Sequence, residues 1–151
     1  MSRIGIIPNL SKDNDLHLTE SIAKWLLDNE QEVLLGNSIA SRIGKPELGL
    51  KNEDIFMNSD FLIVLGGDGT LLNIARQSAY YNVPLFGINL GHLGFLTEVE
   101  AEEMFPALEK LIAGEYEIEK RMMLEATVET DNIQLEKSVA LNDIGITKGP
   151  F

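Results

Sequence analysis

One aspartate set among glycines is the residue of this sequence whose type and neighbours best suit chemistry. Asp68 lies in the run Gly-Gly-Asp-Gly-Thr at 66–70, directly after the apolar residues 61–65. Glycines let a ligand approach the backbone closely, and free amides at the start of a helix favour anionic oxygen such as phosphate. A carboxylate beside phosphate is repulsive unless it accepts a proton from a hydroxyl or holds a metal ion. The turn has no Gly-Lys-Ser/Thr ending, so it is not a P-loop. The simpler alternative is an Asp-Gly turn followed by a threonine cap.

Two further groups of polar residues interrupt apolar segments. The run 89–96 contains Asn89, His92 and Phe95 with two glycines, and it predicts a second ligand-facing loop beside the first. Asn142 and Asp143 stand inside an expected strand, although both residue types are poor strand formers. They are either a bulge or edge position, or an amide and a carboxylate that face ligand hydroxyls or a base edge. His92 is interpreted as an ordinary surface or core histidine, with a ligand contact as the alternative.

The elements that must position these residues alternate between strands and helices. Apolar runs bounded by glycine or proline are typical of strands buried on both faces, and apolar residues at helical spacing are typical of amphipathic helices. These patterns predict strands at 4–7, 33–35, 61–65 and 83–88, and helices at 13–29, from the glycine turn to about 80, and at 98–114. Residues 38–51 are expected to be mainly loop, and 52–60 a short helix or loop. The order predicts an α/β fold with an open, Rossmann-like, mostly parallel sheet and flanking helices.

The period of the pattern changes in the last part of the chain. From Leu124 onwards apolar and polar residues alternate, which predicts an antiparallel meander of about three strands. We therefore expect an α/β domain at 1–115 and the opening strands of an antiparallel all-β domain at 116–151. A three-stranded sheet with one apolar face is marginal by itself. The ending at Phe151 predicts that the second domain is truncated.

The composition limits the partners of the chain. The net charge of −12, from 24 acidic and 12 basic residues, argues against a surface for nucleic acid or for an anionic membrane. An anionic ligand must then be held by local amides, a metal ion or a few placed cations. There is no cysteine, which fits a reducing compartment. With no signal peptide and no apolar run of membrane-spanning length, the expected location is the cytoplasm.

Three motifs together resemble those of the NAD kinases. They are Gly-Gly-Asp-Gly-Thr at 66–70, Asn-Leu-Gly-His-Leu-Gly-Phe-Leu at 89–96 and Leu-Asn-Asp at 141–143. Their order and approximate spacing are those of the family, and the resemblance runs the length of the chain. The family transfers a phosphoryl group to the 2′-hydroxyl of the adenosine ribose of NAD, giving NADP, so the resemblance implies a phosphotransferase. Gly-Gly-Asp-Gly alone is less specific, because lipid kinases and phosphofructokinases are similar there.

The resemblance implies roles for five residues. Asp68 matches the family's catalytic aspartate, taken to be the base for the ribose hydroxyl and also a contact of the dinucleotide. Gly69 matches a neighbour in contact with the dinucleotide, and Phe95 matches an aromatic that lies against NAD. Asn142 and Asp143 match the pair that holds the bound dinucleotide. Metal ligands stay unassigned.

The resemblance also implies ligands and partners. ATP or inorganic polyphosphate is the expected donor, a divalent metal such as magnesium the expected cofactor, and a homodimer or homotetramer the expected assembly. Family members continue beyond the extent of this chain through a β-rich domain with further NAD contacts, so the chain alone is expected to have little activity. Two alternatives are a lipid kinase of the diacylglycerol type, which would need a membrane-facing apolar or basic surface, and a non-catalytic nucleotide-binding fragment.

Overall fold

The computed structural model describes residues 1–91, 94–97, 99–130 and 133–145. Within them the strands are β1 (Arg3–Pro8), β2 (Glu32–Gly36), β3 (Gly49–Leu50), β4 (Phe61–Gly66), β5 (Leu85–Asn89), β6 (Val99–Glu100), β7 (Leu124–Thr130) and β8 (Ile133–Ala140). The α-helices are α1 (His17–Asp28), α2 (Asn37–Arg42), α3 (Asn52–Asn58), α4 (Asp68–Ser78) and α5 (Met104–Ala113). None of these helices is both long enough and apolar enough to cross a membrane. The chain divides into two compact units, Met1–Ile118 and Glu119–Phe151.

A parallel sheet forms the centre of the first unit. Its described strands run in the order β3-β2-β1-β4-β5-β6, and each neighbouring pair is parallel. β4 is central, because Ile63 lies opposite Ile6 of β1 on one side and Phe86 of β5 on the other. This is the strand order of doubly wound nucleotide-binding folds. The predicted α/β fold with a mostly parallel sheet is confirmed.

Helices cover both faces of the sheet and explain why the central strand is apolar throughout. Ile63 and Leu65 pack into one buried cluster with residues of α1 and α5. Leu62 and Val64 point the other way and pack with residues of α3 and α4. Successive strand residues face opposite sides of a sheet, so a strand with a core on each side has no polar position.

The strand order reverses between β1 and β4, whose carboxyl ends lie side by side. Pro8 is paired with Leu65 in the parallel register. Immediately beyond, the Asn9 N–H donates to the Leu65 carbonyl at 2.8 Å. The Asn9 side-chain amide donates to Thr70 Oγ1 at 2.8 Å and so ties the end of β1 to the start of α4. In open α/β sheets such a reversal leaves a crevice in which ligands bind.

Several short elements differ from the prediction. The two-residue strands β3 and β6 lie where a loop and the start of a helix were expected, and α2 is a complete short helix. A strand of two residues has no apolar period to detect, so its pairing is decided by the neighbouring strand.

Helix α1 begins later than predicted, at His17 instead of residue 13. The Asp13 side chain explains the difference. Its carboxylate accepts the N–H of Leu18 at 3.2 Å and that of Thr19 at 3.0 Å, and it is 2 % exposed. Asp13 therefore caps the helix from outside instead of forming part of it.

The second unit contains an antiparallel pair, β7 with β8, with an irregularity in register between Thr127 and Glu129. The predicted meander of about three strands is wrong for the described residues. One strand covers 133–140, and residues 141–145 are not in a strand. Asn142 and Asp143 therefore follow a strand and do not interrupt one, as expected of residue types that favour turns over strands. Residues 146–151, where the last part of the meander was predicted, lie outside the described residues, and the domain boundary at 115 stays a prediction.

Candidate active site

The Asp68 carboxylate holds the loop at 94–97 against the start of α4. Its Oδ2 accepts the backbone N–H of Phe95 at 2.8 Å. Its Oδ1 accepts the backbone N–H of Leu96 at 3.2 Å and that of Thr97 at 3.3 Å, together with the Thr97 hydroxyl at 3.2 Å. The two glycine-containing loops predicted from the sequence therefore meet through one carboxylate.

These hydrogen bonds lower the pKa of Asp68. The Phe95 amide is the largest cause, the Leu96 and Thr97 donors add to it, and partial desolvation acts in the opposite direction. The result is a pKa below the ordinary value of 3.8. The side chain is therefore ionised at neutral pH and acts as an acceptor only.

Two glycines flank this carboxylate in different surroundings. A Cβ at Gly94 would lie 2.6 Å from Asp68 Oδ2 and closer still to the other carboxylate atoms, so a larger residue cannot keep this geometry. A Cβ at Gly69 would meet nothing within 4 Å. Glycine inside a helix costs about 1 kcal/mol relative to alanine, and no contact of the described residues requires it at 69. The space beside Gly69 is thus available to a ligand.

An open cleft of about 860 Å³ lies at the carboxyl ends of β1 and β4. Its volume falls within the range of small-molecule sites. The described residues that line it are Ile7, Pro8, Asn9, Leu10, Lys12, Gly67, Asp68, Gly69, Thr70, Asn73, Ile74 and Gly94. Within this lining Lys12 supplies the cation and Asp68 the carboxylate.

Asn9 and Lys12 line the cleft, although the sequence patterns do not single them out. In the sequence pattern, Pro8 and Asn9 indicate only the end of the first strand. The signal was present, because polar residues directly after a buried parallel strand face the ligand edge of the sheet. It was not decisive, because Asn9 lies 61 residues before Thr70, its hydrogen-bond partner, and only the sheet order makes the two neighbours.

The other predicted site residues are placed as follows. Phe95 is held through its backbone N–H by Asp68, while the residue as a whole is 97 % exposed. Asn89 is buried at the end of β5. Asn142 and Asp143 are exposed residues of the second unit, and their predicted contact with a dinucleotide stays a prediction. His92 lies outside the described residues.

The sheet order, the cleft at the strand reversal and the anion-favouring glycine turn define a doubly wound α/β domain of the nucleotide-binding class. Residues 4–116 match the family model of the ATP-NAD kinase N-terminal domain. The chain belongs to the NAD kinase family.

Similar proteins agree with this assignment. The chain is 52 % identical over 151 residues to the NAD kinase of Thermoanaerobacter sp. (strain X514), covering 100 % of this chain and 53 % of that protein. It is 53 % identical over the same extent to the NAD kinase of Caldanaerobacter subterraneus subsp. tengcongensis, again covering 53 % of the relative. A crystal structure of yeast NADH kinase complexed with NADH shares the fold, with a TM-score of 0.79 and 21 % identity over 94 % of this chain and 47 % of that one.

The family match favours the NAD kinase hypothesis over the lipid kinase and confirms the family recognised from the three motifs. The chain spans about half the length of the curated relatives it matches.

Proposed function

We propose that this chain is the α/β part of an NAD kinase, which transfers a phosphoryl group to the 2′-hydroxyl of the adenosine ribose of NAD. The observation that carries the proposal is the family match over 4–116 together with Asp68, whose carboxylate lies at the cleft where the strand order reverses. Phosphoryl transfer depends on positioning and charge neutralisation more than on covalent help from the protein. Glycine amides, one carboxylate and one cation are suited to that task.

The main role of Asp68 is to orient the attacking hydroxyl. It does not remove the hydroxyl proton before the transfer step begins. The three donors on Oδ1 leave little room there, whereas Oδ2 has a single donor, Phe95, and retains acceptor capacity. A carboxylate with a lowered pKa is a weak base towards a sugar hydroxyl. The proton is therefore accepted only as the bond to phosphorus forms.

Asp68 Oδ2 could also serve as one ligand of a magnesium ion, but the protein would supply only part of the coordination shell. Mg²⁺ is usually held by one or two carboxylates together with substrate phosphates and water. Among the described residues there is no group of three metal-binding side chains, so Asp68 would be one ligand and the phosphate oxygens would supply others. When bound, the metal neutralises charge on the phosphates. ATP or polyphosphate is the proposed donor.

The dinucleotide contacts follow from the family resemblance. Gly69 provides room beside the first turn of α4, and the exposed ring of Phe95 offers a face for stacking. Asn142 and Asp143 are proposed to bind the dinucleotide, as the family resemblance implies. The whole enzyme is proposed to be a cytoplasmic homodimer or homotetramer.

A chimera tests the proposal. Residues 1–151 of this chain replace the matching part of the Thermoanaerobacter sp. (strain X514) NAD kinase, and NADP formation is followed with an NADP-specific dehydrogenase. We expect turnover within about ten-fold of the parent enzyme, and a loss of about 100-fold or more with Asp68→Asn, the usual range for a group acting on the transferred proton. Diacylglycerol vesicles with labelled ATP should give no labelled lipid. A folded chimera, checked by circular dichroism, that makes no NADP would contradict the proposal.

A further inference from the structure

Lys12 lies in the loop between β1 and α1 and lines the cleft, and hydrogen bonds hold the backbone of this loop in place. The N–H groups of Lys12 and Asp13 both donate to the Asn9 carbonyl, at 3.0 and 2.9 Å. The Asn9 side chain is tied to Thr70, and the buried Asp13 carboxylate caps α1. The backbone at residue 12 is thereby held from both sides, while the Lys12 side chain itself is exposed.

The Lys12 ammonium lies between two glycine turns. A Cβ at Gly67, which precedes α4, would be 3.1 Å from Lys12 Nζ, and a Cβ at Gly91, which follows β5, would also be 3.1 Å from it. Those distances are closer than most real Cβ contacts, so a side chain at either turn would crowd the Lys12 ammonium.

No carboxylate among the described residues lies within 4.0 Å of Lys12, and the same holds for most of the other described lysines and arginines. Lys12 differs from the other unpaired cations in its place, because it lines the cleft and its ammonium lies against two glycine turns. An ammonium that is directed over backbone turns, and not towards an acidic side chain, keeps its charge available for an anion that enters the cleft.

We propose that Lys12 binds a phosphate group of the bound nucleotide between the turns at Gly67 and Gly91. The ligand class is a phosphate ester or anhydride, contacted by Lys12 from the β1 side and by backbone amides at the start of α4. Two sources share this chemistry, the phosphate chain of the donor and the pyrophosphate of the dinucleotide. The assignment rests on the proposed function for the identity of the nucleotide, but not for the presence of an anion site.

Titration calorimetry on the 151-residue chain tests the site without requiring turnover. The probes are inorganic tripolyphosphate, ATP and NAD, with adenosine as the uncharged control. Lys12→Met removes the charge at similar length, Lys12→Arg retains it, and Lys24→Met changes the net charge equally on the exposed face of α1. We expect Lys12→Met to weaken binding of at least one phosphate ligand about ten-fold or more, with Lys12→Arg largely restoring it and Lys24→Met having little effect.

The pattern across ligands identifies the phosphate. Weakening confined to tripolyphosphate and ATP assigns Lys12 to the donor, whereas weakening confined to NAD assigns it to the dinucleotide pyrophosphate. Wild-type affinity of Lys12→Met for every phosphate ligand would overturn the proposal. So would equal losses in Lys12→Met and Lys24→Met, which would indicate a general charge effect, or the lack of any phosphate binding by the unsubstituted chain. These outcomes are separate from the chimera experiment, because a chimera can make NADP whether or not Lys12 binds phosphate.

Discussion

Asp68 combines a structural role with its proposed chemical role. Its carboxylate accepts hydrogen bonds from three backbone N–H groups and from the buried Thr97 hydroxyl. Without Asp68 these four donors would lose this acceptor. Replacing it with asparagine leaves one side-chain oxygen for these donors and places an NH₂ group among N–H groups. Loss of activity in Asp68→Asn therefore combines a lost acceptor for substrate with a displaced loop.

The lowered pKa of Asp68 predicts a pH-dependent difference in stability between the wild type and Asp68→Asn. A carboxyl whose pKa is depressed by folding stabilises the folded state above its ordinary pKa of 3.8, which applies to the unfolded chain, and that contribution is lost as pH falls through the lower folded pKa. Urea unfolding from pH 6 to pH 3 should therefore show the free-energy difference constant above about pH 5 and shrinking below it.

Thr97→Val serves as the second variant in that experiment. It removes one donor and leaves the three amides in place, so it should cost about 1 kcal/mol and retain most of the pH dependence. A difference between the wild type and Asp68→Asn that does not vary from pH 6 to pH 3 would show that Asp68 is not stabilised by these donors.

At the scale of elements, the site depends on one long-range connection that sequence patterns do not reveal. The strands that precede the two glycine runs were predicted correctly, because a strand with a core on each face is apolar at every position. That Asp68 bonds to residues 95–97 was not predicted, since it depends on β4 and β5 being neighbours in a particular register. The same reasoning applies to Lys12, which reaches the site only because β1 lies on the other side of β4.

Gly94→Ala should break this connection, and Gly69→Ala provides the matched control. A Cβ at 94 would overlap the Asp68 carboxylate, so the loop or the first turn of α4 must move, at a cost of about 1–3 kcal/mol in the free energy of unfolding. A Cβ at 69 meets open space, so Gly69→Ala should change the free energy of unfolding by about −0.5 to +1 kcal/mol. A positive value, which means a more stable protein, is the expected result. Chemical denaturation of both variants provides the measurement, and equal stabilities of the two would contradict the assigned packing.

Gly69→Ala also distinguishes stability from binding. Because the position is open in the protein, alanine there should leave folding intact and yet weaken NAD binding if the ligand approaches the backbone at this point. Gly94→Ala should impair both.

At the scale of the whole molecule, the two units differ in how their stability arises. Both apolar clusters belong to the first unit, where buried residues line both faces of the sheet. In the second unit none of the side chains whose burial is described is buried. The alternation from Leu124 predicted strands there correctly. It did not predict how many, because alternation shows which face a residue takes but not where a strand ends.

Hydrogen exchange on the 151-residue chain should separate the two units. Amides of β4 (Phe61–Gly66) are enclosed by paired strands and two cores, so they should exchange only through global unfolding, with their rates accelerated by urea. Amides of β7 (Leu124–Thr130) belong to a two-stranded pair in which none of the side chains whose burial is described is buried. They should exchange on the order of 100-fold or more faster, by local opening that responds little to urea. The measurement is mass spectrometry or NMR after correction for intrinsic rates, with α1 (His17–Asp28) as an internal reference for the first unit. Protection of β7 equal to that of β4 would mean that the second unit is stabilised by contacts beyond its own two strands, and the division of stability argued from burial would be wrong.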